Sequence, residues 1–177
     1  QPKGVEITHD SLLNLVHWHN HAYSIGPDDR ATHLAGVGFD ASVWEIWPCL
    51  AAGASLHLPS SETLLMPDAL WAWLSRERIT VTFLPTPLAE AALLQPLPAG
   101  LKLRNLLTGG DRLGKGIDTA LPFAFINHYG PTENTTFTCC HRIPRELPAD
   151  AASIPIGRPL ENTSVFVVDR ELRPVPI

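Results

Sequence analysis

Residues 80–94 read TVTFLPTPLAEAALL, a β-forming run that passes straight into a helical one, and the architecture of the chain follows from that junction. Its first six residues are rich in β-formers and largely apolar on consecutive positions, as a strand covered on both faces must be. Thr86-Pro87 then gives a cap-then-proline start signal, and residues 88–94 continue as a helix. A strand running directly into a helix is half of a βαβ unit, and the same alternation recurs in both directions. Upstream, residues 33–40 (HLAGVGFD) and 55–59 (SLHLP) read as strands. Thr8 suits the cap of a helix running to about Ala22, with Leu12, Leu15, Val16 and His19 down one face. Ser42 and Glu45 have capping-box spacing at the head of a second helix that Gly53 stops. Pro67 suits the first turn of a third, continued by Leu70, Trp73 and Leu74 at helical spacing. Downstream, residues 104–110 (RNLLTGG), 123–130 (FAFINHYG) and 164–169 (SVFVVD) read as strands. Alternating strands and helices predict an α/β fold, a parallel sheet flanked by helices on both sides.

Composition bounds the rest. The chain has 177 residues, the size of one domain or a large piece of one, and 45% of them are hydrophobic, enough for a sizeable core. A formal charge of −5 argues against a nucleic-acid partner or an anionic membrane surface, both of which demand a basic face. No apolar run is long enough to span a bilayer, and no basic-then-apolar leader opens the chain. Cys49, Cys139 and Cys140 are odd in number and two are adjacent, which excludes a disulfide scaffold and suits a reducing cytosol. Gln1-Pro2-Lys3-Gly4 opens without a start methionine, and residues 173–177 (RPVPI) stop as a strand could begin. The chain is therefore expected to be cut from something longer.

In parallel sheets with helices on both faces, ligands sit beyond the carboxyl ends of the strands. That rule selects Phe39-Asp40, Leu84-Pro85, Gly109-Gly110-Asp111 and residues 129–133 (YGPTE). In the last, a tyrosine ring can cover a planar base, Gly130 permits close backbone approach and Pro131 fixes the turn. Thr132 offers a hydroxyl to a phosphate, and Glu133 is a hard oxygen ligand for Mg²⁺. A plain strand-exit turn explains the same letters equally well. Gly109-Gly110 either exposes bare backbone to a flat ligand or makes a tight turn. Asp40 stands at a helix start, where a carboxylate could hold an ammonium group or merely cap the helix; Ser42 is the better placed cap, which leaves Asp40 without an obvious structural task. His17, His19 and His21 do not share one helix face and have no completing ligand, so they read as a solvated or interface stripe rather than a metal site. The adjacent Cys139-Cys140 reads as buried thiols. The sequons at Asn134 and Asn162 carry little weight without a secretory leader.

Four ordered segments resemble one family. Gln1–Gly4 followed by Ile7-Thr8-His9 is similar to the end of the phosphate loop of adenylate-forming enzymes. Residues 39–42 (FDAS) resemble their FDxS motif, and 127–133 (NHYGPTE) their NxYGPTE motif. Residues 156–159 (IGRP) with 165–169 (VFVVD) resemble the stretch that follows. FDASVWE and NHYGPTEN together look most like the amino-acid adenylation domains of non-ribosomal peptide synthetases. The resemblance implies a flavodoxin-like subdomain, with the segment near 164–169 beginning a further sheet. It implies a partial adenylation domain over 1–177, lacking the front of the phosphate loop and the C-terminal domain. It further implies ATP-dependent conversion of an amino acid to aminoacyl-AMP and pyrophosphate. Transfer to a phosphopantetheine thiol on a peptidyl carrier protein would follow, among neighbouring synthetase domains in the cytoplasm and in the service of antibiotic biosynthesis.

Carried over by motif, Tyr129 would stack on adenine and Asn127 would bond its edge. Gly109, Gly110 and Asp111 would line the ATP slot, Thr132 would touch the α-phosphate, and Glu133 would hold Mg²⁺. Asp40 would receive the substrate ammonium. The side-chain pocket would be walled by Ala41, Trp44, Phe83, Leu107, Gly109, His128, Thr136 and Phe137. With no carboxylate, Lys or Arg in that wall, a charged side chain would be stranded. A neutral, mostly apolar and leucine-like substrate is expected, with His128 and Thr136 departing from the leucine pattern. Two other readings stand beside this one. In the first, the isolated chain is a specificity module without turnover. In the second, the parent is an acyl- or aryl-acid ligase, which Asp40 disfavours. The connection over residues 111–122 is shorter than in many relatives, leaving the sheet packing there open.

Overall fold

The structure is a computed structural model that describes residues 4–114, 120–146 and 153–175. The start of the phosphate-loop resemblance at Gln1–Lys3, residues 115–119 of the short connection and the last two residues of the RPVPI terminus lie outside the described residues. Helix α1 (His9–Ala22) starts where Thr8 Oγ1 accepts the Ser11 amide at 3.2 Å, as its sequence predicts. The chain continues through β1 (Arg30–Thr32), α2 (Asp40–Ala51), β2 (Ser55–His57), α3 (Ser61–Leu65) and α4 (Pro67–Arg76). Then follow β3 (Val81–Pro85), α5 (Thr86–Leu93), β4 (Asn105–Gly109) and β5 (Ala124–Tyr129). A 3-10 turn over Thr132–Asn134 leads into β6 (Cys139–Arg142) and β7 (Arg158–Pro159).

The strands form one seven-stranded sheet in the order β2-β1-β3-β4-β5-β6-β7. The first five are parallel to one another, while β6 and β7 add on antiparallel. Successive residues of the central strands face opposite sides, so consecutive apolar positions fill two cores. Leu84, Leu106 and Phe125 pack with Leu70, Trp71 and Leu74 of α4 and with Ala89 and Ala92 of α5. Val81, Phe83, Leu107 and Ile126 pack with Leu15 and Trp18 of α1 and with Trp44 of α2. The buried Trp71 indole donates to the Ala92 carbonyl at 2.7 Å, tying α4 to α5.

Several expectations are corrected. The strand over 33–40 is only the three residues of β1, ending at Thr32; residues 33–39 form a loop whose Phe39 amide closes back on the Gly36 carbonyl at 2.9 Å. Ser42 and Glu45 make no capping box. Ser42 lies inside α2 and bonds His33 Nε2 at 2.9 Å, Phe39 is the N-cap with no side-chain bond, and Glu45 reaches across to the loop. Asp40 is thus the first residue of α2, where a negative charge suits the helix dipole. Thr86 is likewise the first residue of α5, and its hydroxyl donates to the Asp111 carbonyl at 3.2 Å. Residues 164–169 form no strand of the sheet: Val168 makes one antiparallel bridge to Pro174, and Val165 to Val168 are largely exposed. The antiparallel β6 and β7 and the short α3 have no counterpart among the strands and helices read from the sequence.

Candidate active site

The carboxyl ends of β3, β4 and β5 lie in register, Pro85 beside Gly109 and Gly109 beside His128, so the residues chosen by the strand-end rule come to one edge. The reversal after β5 is close-set. A Cβ at Gly130 would collide with the backbone of Phe137 and Thr138, which is why the YGPTE segment needs glycine there. It carries Thr132 towards α2, where the Thr132 hydroxyl donates to Asp40 Oδ2. Thr136 Oγ1 donates to the Asp40 carbonyl at 3.3 Å, fixing the head of the helix. Asp40, Thr132 and Thr136 share a cavity of about 480 Å³ with Thr8, Val37 and Thr135. Two residues that sequence places 92 apart, the Asp40 carboxylate and the Thr132 hydroxyl, are therefore brought into contact.

A second cavity of about 320 Å³ opens between β4 and β5, lined by Gly110, Asp111, Asn127, Tyr129, Gly130 and Ile156 among others. Gly110 has a left-handed φ of 93° and an open face. Tyr129 is half exposed at the rim. Asn127 is buried; its Nδ2 donates to the Pro155 carbonyl at 3.2 Å, and its Oδ1 has no partner. A flat base whose edge donates an N–H fits this cavity, because the unpaired acceptor is costly to bury until it is met. Adenine is such a base.

Glu133 sits apart from Asp40, exposed on the 3-10 turn and bordering a polar groove of about 310 Å³ with Asp10, Asn14, Asn162 and Thr163. Two exposed carboxylates, Glu133 and Asp10, border this groove, which suits Mg²⁺ held jointly with phosphate oxygens rather than in a protein cage. Among the described residues no group of three or more His, Cys, Asp or Glu is arranged for a metal ion. His17 and His21 are exposed, whereas His19 is buried and not part of a solvated stripe.

The expected pocket wall comes together as one aromatic cluster. Trp44 lies 4.6 Å from Phe137, 5.2 Å from Phe83 and 5.2 Å from His128 between ring centroids, and His128 lies 4.9 Å from Phe137. Gly109 runs beneath them: a Cβ there would stand 2.7 Å from the His128 carbonyl. Leu107 is buried in the same core and Ala41 packs on it half-buried. His128 Nδ1 faces the Thr108 carbonyl at 3.1 Å and must donate, so in the neutral ring Nε2 accepts from Tyr23, whose hydroxyl is 2.6 Å away. Burial holds the His128 pKa down to about 4 and that of His19 to about 3, the latter lowered further by His128. Both rings are neutral, and the wall carries no net charge.

Sequence reasoning missed the layer behind this wall. Trp18, His19 and Tyr23 of α1 and its C-cap stack edge-to-face on the cluster, and His19 and Trp44 each leave a buried ring nitrogen without a partner. Glu45 borders the same interior space. The available signal was His128 itself, since a buried histidine on a strand requires a partner and the spacing of Trp18, His19 and Tyr23 puts three rings on one side of α1.

Known proteins resemble the chain along its whole length. The family described as AMP-binding enzyme matches residues 1–177. One of the linear gramicidin synthase proteins of Brevibacillus parabrevis is 53% identical over 177 residues, covering 99% of this chain and 2% of the relative. Bacitracin synthase 1 of Bacillus licheniformis is 37% identical over 179 residues, covering 100% of this chain and 3% of that protein. The chain thus spans a small fraction of the curated relatives it matches. Among solved structures, the AMPPNP-bound form of the non-ribosomal peptide synthetase FmoA3 superposes with a TM-score of 0.87 at 30% identity, over 98% of this chain and 20% of that one. The crystal structure of CmiS6 gives a TM-score of 0.87 at 29% identity, over 100% of this chain and 44% of that one.

Proposed function

Because the chain belongs to the AMP-binding enzyme family, we propose that it forms the substrate-binding core of an amino-acid adenylation domain in a cytoplasmic non-ribosomal peptide synthetase that makes an antibiotic-type peptide. The observation that carries this reading is the contact of Asp40 with Thr132 at the strand ends. It sets an ammonium acceptor beside the hydroxyl that would meet the α-phosphate.

The residues divide the work. Asp40 holds the substrate ammonium, leaving the substrate carboxylate to face Thr132. A carboxylate oxygen attacks the α-phosphorus of ATP, the bond to the bridging oxygen of pyrophosphate breaks, and aminoacyl-AMP remains. Asn127 offers Oδ1 to the adenine amine, Tyr129 covers the ring, and Gly109, Gly110 and Asp111 shape the slot. Glu133 would hold Mg²⁺, which neutralises phosphate charge when bound. These residues act by placement and electrostatics rather than covalently. In the second half-reaction a carrier phosphopantetheine thiol attacks the acyl carbonyl and AMP leaves. The neutral cluster of Trp44, Phe83, Leu107, His128, Thr136 and Phe137 supports an uncharged, mostly apolar side chain, leucine first.

The test is amino-acid-dependent ATP–pyrophosphate exchange in the full-length protein across the common amino acids. Exchange is expected with leucine or another neutral apolar residue. Asp40→Ala removes a charged hydrogen bond worth ~2–3 kcal/mol, a loss of roughly 30- to 150-fold in kcat/KM. Silence with every amino acid, with exchange on a carboxylic acid lacking the amine, would move the protein to the acyl- or aryl-acid ligases. Silence with all acids, together with retained amino-acid binding, would leave a specificity module.

A further inference from the structure

Glu45 has no part in the reaction above, yet it is a carboxyl only 7% exposed in the layer behind the pocket wall. Both of its oxygens accept the Leu34 amide at 3.0 Å, and Oε2 also accepts the Ala35 amide at 2.9 Å. Leu34 and Ala35 open the loop that ends at Asp40. We propose that Glu45 is a positioning residue for amino-acid capture, holding the loop over residues 33–39 so that Asp40 keeps its place opposite Thr132.

The geometry of the loop supports this. Its first residues are tied to α2 twice, by Glu45 at Leu34 and Ala35 and by Ser42 at His33. Its last residue leads into α2 at Asp40 with no capping side chain. Between these ends Val37 is 86% exposed, and the Phe39 amide bonds only within the loop, to the Gly36 carbonyl. The bonds at the two ends, including Thr136 and Thr132 on Asp40, are therefore what define its path. Burial works against the Glu45 carboxylate, pushing its pKa up to about 7, and the Ala35 and Leu34 amides pull the other way. A carboxylate kept at that cost at this point of the chain is explained by the segment it holds. The cavity proposed for the base is lined from the ends of β4 and β5 and includes no residue of this loop, so the two substrates separate the role from general stability.

The proposal rests on the amino-acid activation reading, and the experiment tells the two apart. In the full-length protein, KM for the preferred amino acid and KM for ATP are measured separately by pyrophosphate exchange for wild type, Glu45→Gln and Ser42→Ala. The expected result is a rise of about 10-fold in amino-acid KM for Glu45→Gln, with ATP KM unchanged. A smaller rise of the same kind is expected for Ser42→Ala. An unchanged amino-acid KM, or equal rises in both constants, overturns the proposal. Should Glu45→Gln fail to fold, hydrogen exchange in the wild type decides. Leu34 and Ala35 amides slowed further by the amino acid but not by AMPPNP support it, and amides indifferent to the amino acid overturn it. A wild type that exchanges with no amino acid defeats the activation reading, and the role of Glu45 with it.

Discussion

If the aromatic cluster walls the substrate pocket as proposed, Phe137 is the residue on which its size turns. Its ring is 5% exposed and closes over Trp44, His128 and Phe83 at once. Phe137→Ala would open the wall at one point while leaving Asp40 and the nucleotide slot in place. Exchange assays across the amino acids are expected to show preference moving from leucine towards phenylalanine and tryptophan, at a stability cost of about 3–5 kcal/mol. A preference that stays with leucine would show that Phe137 belongs to the core rather than to the pocket. At this scale much was legible. Tyr129 and Thr132 stand out by residue type at and just after the end of β5, and Asp40 by a carboxylate at a helix start, while Asn127 was picked out only by the motif it belongs to. Tyr23 was not legible, because nothing local to it says that its hydroxyl serves a histidine 105 residues away. Only the packing of α1 and its C-cap on the sheet makes them neighbours.

Among the elements, those with long apolar runs were readable and those set by tertiary contacts were not. β3, β4 and β5 declare themselves by unbroken apolar character, and α1 and α4 by Thr8 and Pro67 at their heads. β6 carries Cys139-Cys140-His141-Arg142, a mixed string that becomes a strand because it lies antiparallel on β5. Residues 33–40 fail as a strand for the converse reason. They have strand composition, but Gly36 and Gly38 let the chain bend, and Glu45 and Ser42 take up the groups nearest β1. The β5–β6 reversal is the tightest of these junctions. Gly130→Ala would drive a methyl into the backbone of Phe137 and Thr138, a contact that no rotamer change relieves. A loss of about 2–4 kcal/mol is expected in urea denaturation. A loss below roughly 0.5 kcal/mol would mean that the reversal can shift freely.

Across the whole molecule, the charge that burial suppresses gives a pH signature. His19 and His128 are held to about 3 and about 4, below their ordinary 6.5, so the unfolded chain takes up protons that the folded chain refuses. Their contribution is full above pH 6.5 and is lost as pH falls towards those values. Glu45 runs the other way: raised from 4.5 to about 7, it is most favourable below pH 4.5 and loses stability as pH rises towards 7. Between pH 6.5 and 4.5 two groups lose and one gains on acidification, so the three together make the fold less stable as pH falls. His19→Phe should flatten that slope in denaturation curves taken across the interval. An unaltered slope would show that His19 takes up a proton in the folded state. The two-core architecture was legible from strand and helix alternation; the polar layer inside one core was not, because burial of a histidine is a property of the assembled sheet.

The bond between Tyr23 and His128 also bears on how such a molecule can be recombined. A segment cut to carry the specificity wall, from Asp40 to Phe137, would transplant the imidazole and leave its phenol behind in the host. Unless the recipient happened to supply a hydroxyl at the same spot, the imported Nε2 would be buried without a donor, and Trp44 and Phe137 would close around a ring no longer held in one orientation. The heritable unit of this pocket would therefore begin no later than Tyr23 at the end of α1, upstream of the first residue proposed to touch a substrate.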